Sequence, residues 1–440
     1  MSLSTRIART FGVAEGEARP VLTGATLFFV MFAGYFMLRP VRETMGVAGG
    51  VDNLQWLFTG TFVATLAAMP LFGWIASKVP RRRILPWTFG FFAVNLALFA
   101  LGFQREPENV WIARTFYIWI SVFNLIAISV IWSVCVDLFP STQAKRLFAL
   151  MAAGASLGGL VGPLLGIALV GPIGHAGLLW LAAGLLLVGI VIARQLQRWR
   201  DAQPVRDELT AQARARPLGG HPFAGITTVL RSPYLLGISL FVLLLASVST
   251  FLYFEQARLV ELKFPDREDQ TRVFGTIDAI VQSLTILSQL FITGRLVQRL
   301  GLAALLVAVP VVTMLGFVWL AFAPTFAVLA AVMVVRRAGE YAFVRPGREM
   351  LFTVVPTEAK YKAKNFIDSV VYRGADAVSG WAKALVDMLA QQPAIAALLG
   401  AAIALAWALT GAGLARAQAR VENAEPLPGG FDVAGEGLRR

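Results

Sequence analysis

Apolar segments of membrane-spanning length follow one another along almost the whole of this 440-residue chain. They fall at 21–38, 54–76, 84–103, 110–136, 147–170 and 176–193, then at 234–254, 274–293, 302–322, 326–343, 366–389 and 394–415. A helix needs about 20 apolar residues to cross a bilayer, whereas a barrel strand needs only about 10. Backbone groups in hydrocarbon must be satisfied within the chain, which leaves helices as the solution for runs this long. The expected fold is an all-α integral membrane bundle of twelve transmembrane helices.

Composition agrees. The chain is 57% hydrophobic and 15% charged, against about 45–50% and about 25% in soluble domains. The first apolar run is long enough to span, so it reads as the first transmembrane helix and not as a cleaved leader.

A polar stretch at 194–232, rich in Arg, Gln, Asp and Ala, separates a six-span bundle (1–193) from a second one (233–415), and a polar tail (416–440) is expected to be mobile. The two bundles echo each other. GWIASKVPRR (73–82) closes the second span and GRLVQRLG (294–301) closes the eighth. PSTQAK (140–145) and PTEAK (356–360) both lie between the fourth and fifth spans of their bundles. Six plus six spans with an internal parallel repeat is the layout of the major facilitator architecture. Both loop segments are similar to its G-x-x-x-D-R-x-G-R-R pattern, with Ser77 and Gln298 in place of the acid.

Lys and Arg gather in the loops after even-numbered spans, among them Lys78, Lys145, Arg194, Arg295, Arg299 and Lys360. The opposite loops carry mainly Arg105 and a balanced segment at 258–272. Basic loops stay on the cytoplasmic side, so both termini are expected there. The Arg81–Arg83 run (81–83) reads as topogenic. The net charge of +13 belongs to these loops. No basic module stands apart from the spans, and nucleic acid is not an expected partner.

Several classes drop out. Cys135 is the single cysteine, so no intramolecular disulfide can form, and with only His175 and His221 besides a zinc-type site is not expected. No G-K-[ST] phosphate loop occurs, which removes primary ATP-driven pumping. No nucleophile–base constellation appears in the spans, so neither an enzyme nor a cofactor is expected. Gly154, Gly158, Gly159 and Gly162 resemble a small-residue helix contact.

Two arginine-bearing stretches remain, LRPVRE at 38–43 and VRPGRE at 344–349, one in each half. Charge at the edge of a span is costly and is rarely kept without a use. Arg39 and Arg42 are three residues apart and can share one helix face; Arg345 and Arg348 repeat the spacing. With Arg337 and Tyr341 they form a stripe that fits an electropositive wall of a central cavity. Arginine clamps phosphate in bidentate fashion, and an aromatic surface can stack on a base. The same charges also fit structural pairs, Arg39 with Glu43, Arg336 with Glu340 and Arg345 with Glu349. Aligning Arg258 with Arg42 sets Glu255 opposite Arg39, which points to an ion pair across the halves that serves as a gate. Asp278 is a candidate proton-coupling acid, and Asp368, Arg373, Asp376 and Lys383 are further charges within or beside the spans.

At this point the residues resemble a known family, the ATP:ADP antiporters or nucleotide exchange transporters of plastids and intracellular bacteria. Residues 38–47 (LRPVRETMGV) have the charge order of that family's L-R-D-T-K-D-x-L-V run, with Arg42 for lysine and Glu43 for aspartate. SVIW (129–132) and QAKRLF (143–148) are similar to its S-x-x-F-W and E-A-K-K-F-Y. YFEQAR (253–258) is similar to its L-V-E-V-T-W-K, and FP occurs downstream at 264–265. REM (348–350) and KYKAKNFIDSVV (360–371), with Arg373 just beyond, match K-E-M and K-x-K-x-K-A-A-I-D-V-V.

The resemblance implies exchange of nucleotides by alternating access, while the Ala-, Arg- and Gly-rich usage points to a bacterium with GC-rich DNA and so to its inner (plasma) membrane, and a monomer is expected. The resemblance implies phosphate contacts from Arg39, Arg42, Arg345, Arg348 and Lys364, with Tyr341 beside them. Glu43, Glu255, Arg258, Asp278, Glu349, Asp368 and Arg373 are expected as gate or coupling residues, of which Asp368 and Arg373 match the family's motif. The family's acid early in the fourth span has no counterpart near Ile120. That departure favours a second reading, a proton-coupled transporter of another organic anion or drug on the same fold. A membrane sensor or scaffold without transport is a third.

Overall fold

In the computed structural model, residues 18–138, 141–201, 225–390 and 392–424 are described. The helices, in chain order, are α1 (Ala18–Ala48), α2 (Leu54–Lys78), α3 (Arg81–Arg105), α4 (Val110–Leu138) and α5 (Ser141–Asp201). Then come the short α6 (Ile226–Leu230), α7 (Pro233–Lys263), α8 (Arg267–Ser288), α9 (Gly294–Phe322), α10 (Phe326–Gly339), α11 (Arg345–Leu351), α12 (Thr357–Phe366), α13 (Tyr372–Ala390) and α14 (Pro393–Ala424). Among the described residues nine helices are long and apolar enough to cross a membrane. Two further continuous helical tracks, 326–351 and 357–390, carry charges along their length.

The segment 202–224, with His221, lies outside the described residues, as does 425–440. The expected tail at 416–440 starts later than its composition suggested, because α14 runs on to Ala424. Nothing is described of the side chains of Cys135 and Lys145.

Glycine decides where the long helices turn. α5 breaks at Gly174 (φ 64°) and α9 at Gly301 (φ 68°). A side chain at φ > 0 is strained, which is the physical reason for glycine there. The two loop repeats therefore turn differently. The copy ending at Gly301 uses this left-handed residue, whereas the copy at 73–82 uses extended Val79 before Pro80.

Glycine also sets one helix contact. A Cβ on Gly158 would lie 2.5 Å from the Phe29 carbonyl oxygen, and one on Gly162 2.6 Å from that of Ala33. α1 and α5 thus pack backbone to backbone, as small residues allow in membranes.

Two separate hydrophobic cores form, one from residues between Val21 and Leu196 and one from residues between Val229 and Ala415. A third, smaller cluster joins Leu54, Leu57 and Tyr117 to Phe254, Ala257, Val260 and Phe274, and so seals one end of the cleft between the halves. Large apolar side chains cover the outer surface. Trp56, Trp111 and Trp319 are exposed toward that sealed end, and Trp74 and Trp87 toward the other. This double belt is the pattern of aromatic residues at two membrane interfaces.

Candidate functional site

A cavity of about 970 Å³ lies between the two halves, lined from α1, α2, α4 and α5 on one side and from α7, α8, the 326–351 track and the 357–390 track on the other. At its sealed end the halves are tied by several contacts. Trp381 Nε1 donates to Thr59 Oγ1 (3.0 Å) and its ring meets Trp56 edge-on at 4.8 Å. Thr44 and Thr271 hydroxyls bond at 2.7 Å, and His175 Nε2 lies 2.9 Å from the same Thr271. Arg267 reaches Glu108 at 3.3 Å.

α1 does not stop where its strongly apolar run ends. It continues ten residues beyond Leu38, through Pro40. Arg39, Arg42 and Glu43 therefore sit within the helix and line the cavity, where the sequence placed them at its far end. Arg42 lies over the Tyr117 ring (4.7 Å to its centroid) and donates from Nη2 to the Tyr117 hydroxyl at 3.3 Å. Glu43 Oε1 lies 3.5 Å from Arg42 and 4.0 Å from Arg39.

The opposite wall is built around three π-helical turns, 289–293, 340–344 and 367–371. Such turns shift the next side chains around the helix and occur often at functional sites. Their effect on pairing is direct. The turn at 340–344 sets Arg345 beside the residue five positions back, and Arg345 does not pair with Glu349, four residues on in α11. It turns back over the Tyr341 ring (4.3 Å) and lies 3.5 Å from Glu340. Glu349 takes Lys364 instead, at 2.5 Å. Arg336 meets Glu340 at 3.0 Å, Arg348 meets Asp368 at 3.1 Å, and Arg373 meets Asp376 at 3.3 Å.

Asp278 is 3% exposed and joins the walls, with its Oδ1 3.2 Å from Arg39 and 2.6 Å from Arg337. The expected pairing of Glu255 with Arg39 is thus replaced. Glu255 binds Arg258, three residues along its own helix, at 3.2 Å from Nε. It faces a narrow crevice with Lys383, away from the central cavity.

Of the residues singled out in the sequence, Arg39, Arg42, Glu43, Asp278, Tyr341, Arg345, Arg348, Glu349, Asp368 and Arg373 line one cavity, while Glu255, Arg258 and Lys364 do not. The wall is not simply electropositive. Seven arginines face six carboxylates. Sequence reasoning passed over the aromatic lining, Tyr35, Tyr117, Tyr253 and Tyr372. The one signal for Tyr35 was its position four residues before Arg39 on the same helix. Among the described residues no cluster of metal-ligating side chains occurs.

Comparison with known proteins gives three findings. The family model described as Major Facilitator Superfamily matches residues 21–363. ADP,ATP carrier protein 1 of Chlamydia muridarum is 22% identical over 81% of this chain and 80% of its own length, in agreement with the resemblance read from the motifs. Among solved structures, a peptide-bound POT family transporter superposes with a TM-score of 0.64 at 13% identity, covering 92% of this chain and 97% of that one. The nucleoside transporter NupG gives 0.62 at 14%, covering 90% and 98%. An inward-facing, unoccupied bacterial homolog of the lysosomal transporter Spinster gives 0.57 at 14%, covering 94% and 99%. Likenesses at these identities speak for the fold.

Proposed function

The chain belongs to the Major Facilitator Superfamily and is a multi-pass membrane transporter, and from that premise we propose that it exchanges nucleotides or related phosphorylated anions by alternating access. The observation that carries this reading is a cavity, between two separately packed halves, to which both halves contribute arginines. Arg39, Arg42, Arg345 and Arg348 are the phosphate contacts in this reading, with Tyr341 and Tyr117 as stacking surfaces. Lys364 acts at one remove, through Glu349. Likeness to a carrier named for ADP and ATP supports the substrate class.

In this reading the two arms of α5 cross separately and both charged tracks cross as well, which makes twelve crossings with the other eight apolar helices. With the basic loops cytoplasmic, both termini and the unsealed end of the cavity face inward, in a bacterial inner membrane. The chain acts as a monomer in this reading, since each half finds its partner wall within the same chain.

A second reading rests on Asp278. A carboxylate buried between two arginines is also what a proton-coupled transporter of another organic anion needs, since protonating it would loosen the tie between the halves.

The test is counterflow. Proteoliposomes loaded with ADP are expected to take up labelled ATP, empty ones are not, and Arg42→Ala is expected to remove the uptake. A well-folded protein that moves no nucleotide under any loading overturns the exchange reading. Uptake that tracks an imposed proton gradient and is lost in Asp278→Asn would establish the second.

A further inference from the structure

At the centre of the cavity, three carboxylates are each shared between two arginines. Glu43 lies between Arg39 and Arg42, Asp278 between Arg39 and Arg337, and Glu340 between Arg336 and Arg345. Around this cluster the pairing is one to one, Arg348 with Asp368, Lys364 with Glu349 and Arg373 with Asp376. The central cluster therefore holds five arginines against three carboxylates, a surplus of two positive charges.

The surplus divides evenly. The first half supplies Arg39 and Arg42 against Glu43. The second supplies Arg336, Arg337 and Arg345 against Asp278 and Glu340. Within the cluster, each half keeps one buried guanidinium Nε without an acceptor, on Arg42 and on Arg336, and one buried carboxylate oxygen without a donor, on Glu43 and on Asp278, so the surplus charge and not the orphan atoms sets the sign of what the site lacks. A guanidinium stays charged at any physiological pH, so the imbalance cannot be relieved by losing a proton. Enclosing uncompensated charge is strongly unfavourable.

Building on the exchange reading above, we propose that this site recognises a substrate group with two negative charges, the dianionic phosphate of a phosphomonoester or nucleotide. The group is held between the one surplus arginine charge of each half. This assignment gives exchange a physical cause. The halves can close over the cavity only when a dianion fills the surplus, so the empty carrier does not reorient. Asp278 already bridges Arg39 and Arg337 across the halves, and the dianion supplies what that single carboxylate leaves short.

The experiment reads binding, not transport. The purified protein is unfolded thermally in metal-free buffer while titrated with adenosine, the monoanionic methyl ester of AMP, AMP, ADP, methyl phosphate or pyrophosphate. AMP is expected to bind at least about tenfold more tightly than its methyl ester, the size of one charge-assisted bond. Adenosine is expected to be weaker again. Asp278→Asn and Glu340→Gln each raise the surplus to three. Each is expected to increase the ADP-over-AMP affinity ratio by about tenfold. Two variants from different positions guard against one that fails to fold, with a monodisperse size-exclusion profile as the criterion.

Equal binding of AMP and its methyl ester overturns the proposal, and so does an ADP-to-AMP ratio unchanged in the folded variants. If adenine compounds do not bind but methyl phosphate and pyrophosphate do, with the ratio shifting in the variants, only the nucleotide reading falls. A folded protein that binds none of these anions overturns both.

Discussion

The two walls of the cavity are built on different principles. The first-half wall is aromatic and hydroxylic, with Phe32, Tyr35, Phe36, Phe58, Tyr117, Ser121 and Asn124, and its charges come from a single helix, α1. The second-half wall carries five arginines and five carboxylates drawn from α8 and both charged tracks. α1 is fixed by glycine-mediated backbone contact with α5. The second wall is instead shaped by its π turns, two of which brace each other. Gln289 Nε2 donates to the Tyr341 carbonyl at 3.3 Å and Thr293 Oγ1 to the Ala342 carbonyl at 3.1 Å. A sequence repeat therefore does not imply a chemical repeat. The same helical scaffold presents a sparsely charged surface on one side and a dense ion-pair network on the other.

If the first wall truly depends on its two arginines, removing one has the largest effect. Arg42→Ala leaves Glu43 with one distant partner and strips the Tyr117 ring of its cation. Counterflow is expected to fall about 100-fold, because the variant removes two charge-assisted interactions at once. Arg345→Ala in the denser second wall is expected to cost less, about tenfold, because Arg336 still holds Glu340. Equal losses in the two variants would erase the distinction between the walls.

The next effect is on assembly. Gly158→Val pushes a branched side chain into the α1 backbone. It is expected to destabilise the folded protein by about 3 kcal/mol, read as a lower unfolding midpoint in detergent. Gly184→Val, where a Cβ meets nothing within 4 Å, serves as the control that should leave the midpoint nearly unchanged.

At the sealed end, Trp381→Phe removes the bond to Thr59. It is expected to weaken closure by about 1 kcal/mol. The readout is faster labelling of a cysteine placed at Thr61, a buried cavity residue, by an impermeant reagent added from the sealed side, in a chain whose Cys135 has been replaced. No change in labelling would show that the aromatic contacts alone close this end. The smallest effect is expected for Glu255→Gln, within about threefold of normal counterflow, because Glu255 faces away from the cavity and pairs along its own helix. A loss as large as that of Arg42→Ala would instead place Glu255 in the gate.

The sequence by itself determined the features that period, length and composition dictate. Long apolar runs require helices in a membrane, and the echoing loops mark two halves. Paired arginines at three-residue spacing share a helix face, and the motif order marks the relationship to nucleotide carriers. These features are local or one-dimensional, so they survive translation from chain to structure with little change.

Helical spacing already held the pairs Arg39 with Glu43 and Arg336 with Glu340, but tertiary structure alone decided the partners that lie on different helices. Asp278 is 239 positions from Arg39, and no helical spacing could have joined them. The π turn at 340–344 brings Arg345 back beside Glu340, because such a turn closes on the fifth residue, while Glu349, in the ordinary helix beyond it, is taken by Lys364 from another segment. Glu255 pairs with Arg258 and not with Arg39 for a simple reason: that arginine lies three residues along its own helix, within reach without any contact between the halves. The balance of charge in the cavity also became countable only once both walls faced each other, because Coulomb energy depends on distance in space and not along the chain.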